Sequence, residues 1–134
     1  MMLPPDQLII QQCTGINRTN YWPALDRLPA LSYHVTASAT RAAVDYKIVK
    51  ITLAAHKARV GECVAQASTV KRTERQIRDA VTADPEHRRL EEIVAHAWGV
   101  LQDWRGLLEA LKAQKEILIQ ISAHDREDKK LAQH

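Results

Sequence analysis

Nine basic side chains fall between residues 41 and 78: Arg41, Lys47, Lys50, Lys57, Arg59, Lys71, Arg72, Arg75 and Arg78. Only Asp45, Glu62 and Glu74 oppose them, a net charge of +6. Residues 1–40 hold two charges of each sign, and residues 79–134 hold eight basic and eleven acidic groups, a net of −3. The chemistry such a block can do is to neutralise phosphates, since ammonium and guanidinium groups displace the counterions of a polyanion without a covalent step. A solvated basic face is the competing reading. Lys47, Lys50 and Lys57 fall within about 80° of one another on a helical wheel, beside Tyr46. Lys71, Arg75 and Arg78 stand at i, i+4 and i+7 and share a face. Arg59, two residues and about 200° from Lys57, faces away beside Arg41.

Other chemistry is poorly served. Cys13 and Cys63 are too few for a disulfide framework, there is no CxxC, and no histidine pair has metal-ligand spacing, so no metal or cofactor is expected. The chain has no GxSxG elbow, no GxxxxGK[ST] loop and no GxGxxG. Glu91 and Glu92 are helical neighbours pointing about 100° apart, which prevents them from facing a common substrate. The expectation is a protein that is not an enzyme. The N-terminus lacks a basic start and an apolar run, and nowhere are 18 apolar residues consecutive. No signal peptide, no membrane partner and a cytoplasmic location are therefore expected.

The elements that must position the basic groups are helical. Nineteen alanines, no phenylalanine, six aromatics and four glycines make a thick sandwich or barrel improbable and favour helix. Residues 5–13 predict a short helix, and residues 14–30, with Gly15, Pro23 and Pro29, predict a connector. Residues 31–67 predict a long helix, with Gly61 its weak point. Tyr46, Val49, Leu53, His56, Val60, Cys63 and Ala67 form a 3-4 seam; Val44, Ile48, Ile51, Ala55 and Ala58 form a second apolar stripe. A helix with two apolar faces needs partners on two sides. A basic segment follows from Thr69 to Ala83, then Asp84 as a cap and Pro85 at the first position of a helix running to about residue 124. In that helix Leu90, Ile93, Ala97, Val100, Trp104, Leu107, Leu111 and Leu118 make a heptad seam, interrupted by Gln114. Gly99, Gly106 and Ala113 recur on a separate flank, either where another helix approaches or as tolerated glycines. Trp104 reads as core, Trp98 as interface or half-exposed, and residues 125–134 as a fraying polar tail.

The order Ala55-His56-Lys57-Ala58-Arg59-Val60, then a basic linker, then Thr82-Ala83-Asp84, then Trp98-Gly99-Val100-Leu101-Gln102-Asp103 and an amphipathic helix resembles the UvsY recombination mediators of T4-type bacteriophages. The resemblance covers roughly residues 42–124 and rests on the colinear combination. It implies a phage protein that forms ring-like homo-oligomers, binds single-stranded DNA and helps load a RecA-type recombinase onto strands covered by single-strand-binding protein. It also implies a DNA-contacting role for Lys57 and Arg59.

Together these readings predict one all-α chain of long amphipathic helices, a bundle or coiled-coil-like homo-oligomer. Its parts are an arm and connector (1–30), a basic helical part (31–83), a long oligomerisation helix (84–124) and the tail (125–134). The eight seam residues from Leu90 to Leu118 are the expected oligomer interface. Lys47, Lys50, Lys57, Arg59, Lys71, Arg72, Arg75 and Arg78 are the expected nucleic-acid contacts. A phage assembly adaptor would show the same heptads without nucleic-acid affinity. A small regulator is disfavoured because no helix-turn-helix pair is evident.

Overall fold

A computed structural model describes residues 1–67 and 71–133; Thr69, at the start of the expected basic segment, and His134, at the end of the tail, lie outside the described residues. The fold is an all-α helical bundle. Its elements are α1 (Gln7–Thr14), α2 (Trp22–Gln66), α3 (Glu74–Ala83) and α4 (Pro85–Ala132), with no strand among the described residues. The chain divides into two compact units, and α2 and α4 contribute a segment to each. One unit holds Met1–Met2 and Ala42–Leu101, the other Leu3–Arg41 and Gln102–His134.

Local chemistry sets the helix starts. The Asp6 carboxylate accepts the Ile9 N–H at 2.9 Å and caps α1. Thr73 and Gln76 close a capping box on α3, with side chain and backbone bonded both ways at 3.2 and 3.0 Å. Asp84 accepts the His87 N–H at 2.9 Å, and Pro85 takes the first position of α4, where its missing donor is harmless.

In the unit that contains residues 3–41, the N-terminal arm and α1 lie on α4. The Trp104 indole N–H donates to the Leu3 carbonyl at 2.9 Å, and Gln114 donates to the Gly15 carbonyl at 2.8 Å. Gln114 is therefore a buried polar residue with a partner, which explains its place in an apolar seam. Cys13 is fully buried, and burial pushes its thiol pKa up. The His34 ring meets Trp104 edge-on with centroids 5.9 Å apart, so α2 and α4 pack here.

Two expectations are corrected. Residues 22–30 are not a connector, because α2 begins at Trp22 and runs through Pro23 and Pro29. Pro23 is tolerated in the first turn, where N–H groups have no intrahelical partner. Pro29 removes a bond to the Leu25 carbonyl, but burial of Leu28, Leu31 and Val35 around it outweighs that loss. The tail is also helical to Ala132. The Tyr21 hydroxyl donates to Asp125 at 2.9 Å, Lys129 pairs with Asp125 at 3.4 Å, and Lys129 and Lys130 complement the dipole of the last turn.

Pro29 is exposed and interior to the helix. Pro29→Ala is expected to stabilise the protein by about 1–3 kcal/mol in denaturant titration. A change that left the unfolding midpoint where it was would mean that residues 22–30 are not held as helix in solution.

Candidate nucleic-acid interface

The unit that contains residues 42–101 carries the basic residues, and its helices explain which of them meet. α2 packs its His56 side against the α3–α4 junction. The His56 imidazole Nε2 lies 2.7 Å from an Asp84 carboxylate oxygen, the same oxygen that accepts the His87 N–H. Hydrogen bonding from His56 first, and from the His87 backbone second, holds the Asp84 carboxyl below the usual carboxylate range. The Arg59 guanidinium lies 3.1 Å from His56 Nδ1, so that nitrogen accepts and Nε2 donates to Asp84.

α2 continues unbroken through Gly61. A Cβ at Gly61 would lie 3.5 Å from Ile77 and 3.9 Å from Val81, so α3 packs at ordinary contact distance over this position. Arg59 is therefore not released by a helix end. It sits beside His56, away from Lys57, and the two residues do not share a face.

Lys50 and Lys57 do join an aromatic pair. Tyr46, Lys50, Leu53 and Lys57 stand at 4-3-4 spacing on α2, one stripe of a helix. The Tyr46 ring meets Trp98 of α4 with centroids 5.1 Å apart at 48°. The Lys50 ammonium lies 5.3 Å from the Tyr46 centroid. Tyr46, Leu53, Glu91, Val94, Ala95 and Trp98 line an open groove of about 400 Å³. Trp98 remains 46% exposed, so its ring is reachable from solvent.

The other predicted contacts are dispersed. Lys47 is exposed about 60° further round α2 from Lys50. Lys71 and Arg72 are exposed before α3, and Arg75 and Arg78 are exposed on it. Among the described residues, none of the eight predicted cations is in an ion pair.

The expected interface seam lies inside the chain. Leu90, Ala97, Val100, Trp104, Leu107, Leu111 and Leu118 are buried and Ile93 is half-buried without any second copy. The second α2 stripe is the face left open, with Val44, Ile48 and Ile51 all more than half exposed. Among the described residues nothing lies within 4 Å of a Cβ added at Gly99 or Gly106, so neither glycine is required by close helix contact. Sequence reasoning missed the Tyr46–Trp98 pair. Both residues were visible, but their meeting depends on how α2 is registered against α4.

Among the described residues no group of three His, Cys, Asp or Glu side chains is placed to hold a metal, and no helix is long and apolar enough to cross a membrane. The geometry defines a helical bundle with an open groove lined by Tyr46 and Trp98, and with Lys50 over the Tyr46 ring. No family model, no curated protein and no solved structure matches the chain.

Removal of the Asp84 charge should be most visible near neutral pH. A carboxyl whose pKa is lowered by folding stabilises the folded state above the ordinary carboxylate range, and that contribution is lost as pH falls through the lowered value. Asp84→Asn keeps a capping side chain but loses the charge opposite His56. Its melting temperature is expected to fall a few degrees below wild type at pH 7, with the two curves converging toward pH 2. A gap that stayed constant with pH would contradict this account.

Proposed function

We propose that this chain is a non-enzymatic recombination mediator. It binds single-stranded DNA as a homo-oligomer and promotes loading of a RecA-type recombinase onto strands covered by single-strand-binding protein. The observation that carries the strand-binding part is the pairing of half-buried Tyr46 with exposed Trp98, with Lys50 over the Tyr46 ring. Binding without sequence readout needs aromatic faces on which bases stack and cations that follow the phosphates, and this stripe interleaves the two. An exposed ammonium over a tyrosine is worth about 0.5–1 kcal/mol, whereas a base stacked on an aromatic side chain is worth about 1–3 kcal/mol. A base therefore displaces Lys50 from Tyr46 and frees the ammonium for a phosphate. The recombinase and the single-strand-binding protein enter through the motif order shared with the UvsY mediators.

Self-association is supported by the open α2 stripe. Three large aliphatic side chains exposed on one face of a single helix form the kind of contiguous patch that monomers rarely leave in water. The same stripe favours the second reading, an assembly adaptor of a phage without nucleic-acid affinity.

Fluorescence anisotropy with a labelled single-stranded oligonucleotide separates the two. Trp98→Ala and Tyr46→Ala are each expected to weaken binding roughly 5- to 150-fold, the equivalent of about 1–3 kcal/mol of stacking. Lys50→Ala and Lys57→Ala should each reduce the slope of log affinity against log salt by about 0.7, as expected for one phosphate of a single strand. No detectable binding by wild type at low salt would leave the adaptor. In light scattering, Ile48→Glu combined with Ile51→Glu is expected to yield a monomer; wild type that is already monomeric would refute the oligomer.

A further inference from the structure

Stacking and phosphate capture leave one group in the groove unused, and it is an anion. Glu91 lines the same surface as Tyr46 and Trp98, a costly place for a carboxylate beside a polyanion unless it contacts the ligand. It is also anchored. His87 is 2% exposed, and its Nε2 lies 3.0 Å from Glu91 Oε1, whereas its buried Nδ1 has no partner. Placing the ring proton on Nε2 gives the carboxylate a donor and avoids a buried N–H without an acceptor. One carboxylate oxygen is thus held by α4 itself. The Glu91 side chain is 53% exposed, so a ligand can reach it.

We propose that this groove selects nucleobases that carry an exocyclic amino group, with Glu91 as the acceptor. The inference rests on the single-strand reading above. An ionised carboxylate only accepts hydrogen bonds, and cytosine, adenine and guanine each offer an amino N–H₂. Thymine offers a carbonyl at the position where cytosine has its amino group, so its oxygen would face the carboxylate. Stacking on aromatic rings is sequence-tolerant, because every base has a π-face. The choice between them therefore falls to Glu91. A cationic ligand is disfavoured because Lys50 already brings an ammonium to the Tyr46 face. Discrimination by a mismatched polar group lowers affinity for the wrong base more than it raises affinity for the right one. Glu91 thus reduces binding to thymine tracts while it permits binding to cytosine tracts.

The test compares fluorescein-labelled oligo(dC) and oligo(dT) of equal length at equal salt and at pH 8, where cytosine is neutral. Wild type is expected to bind oligo(dC) roughly fivefold to tenfold more tightly than oligo(dT), within the range for one good polar contact to a base edge. Glu91→Ala should bring the ratio close to one by improving oligo(dT) binding. Glu91→Gln, whose amide can donate to the thymine carbonyl, should bring it to one or invert it. A purely structural role for Glu91 would weaken both oligonucleotides in parallel and overturn the proposal. Equal wild-type affinities, or a ratio unchanged in both variants, would overturn base selection and leave strand binding standing. No binding of either oligonucleotide by wild type would remove the strand reading and the selection together.

Discussion

The contact between Asp84 and His56 ties α2 to the α3–α4 junction, and the aromatic pair of that unit depends on it. Asp84 stands in the one-residue break between α3 and α4, and its carboxylate collects both the His56 imidazole and the His87 N–H. Those two bonds decide where α2 lies along α4. Tyr46 is ten residues before His56 and Trp98 is eleven after His87, so at about 1.5 Å per residue antiparallel helices carry both rings a similar distance from the junction. The rings meet because the junction is pinned. His87 extends the same logic, since its backbone caps on Asp84 while its buried side chain holds Glu91.

The all-helical class, the capping role of Asp84, the first position of Pro85 and the inward face of α4 were legible from residue types and spacing. Each is a local or periodic property. Leu90 and Leu118 belong to the same heptad seam in the sequence and are both buried in the fold. What the seam could not reveal is its partner. A heptad face reads identically whether its holes are filled by a second copy or by the same chain, and here Leu3 and His34 meet Trp104 while Gly15 meets Gln114. Proline misled for a related reason. Helix propensity at Pro29 is strongly unfavourable, but Leu28, Leu31 and Val35 bury enough apolar surface to outweigh it, and burial is not a local signal. The tail has the same lesson in its polar form: Asp125 is ordered by Tyr21, more than a hundred residues away in sequence.

Charge counting located the basic block but overstated its unity. The +6 segment is spread over α2 and α3, and geometry sorts it further. Lys50 and Lys57 lie on the aromatic stripe, and Lys47 lies at its edge. Arg59 is bonded to His56 and belongs to the junction more than to the groove. A guanidinium there orients the imidazole by occupying Nδ1, so that Nε2 must present its proton to Asp84.

The two faces of α2 differ in composition within its unit. Val44 centres the open apolar stripe, and Tyr46, two residues on, is turned about 200° from it. A neighbouring copy seated on Val44, Ile48 and Ile51 would leave Tyr46, Lys50 and Lys57 uncovered. The proposed association and the proposed strand capture are therefore compatible on one helix. In the unit that holds residues 42–101, α4 meets the Tyr46 side of α2, and Val44, Ile48 and Ile51 on the other side stay more than half exposed.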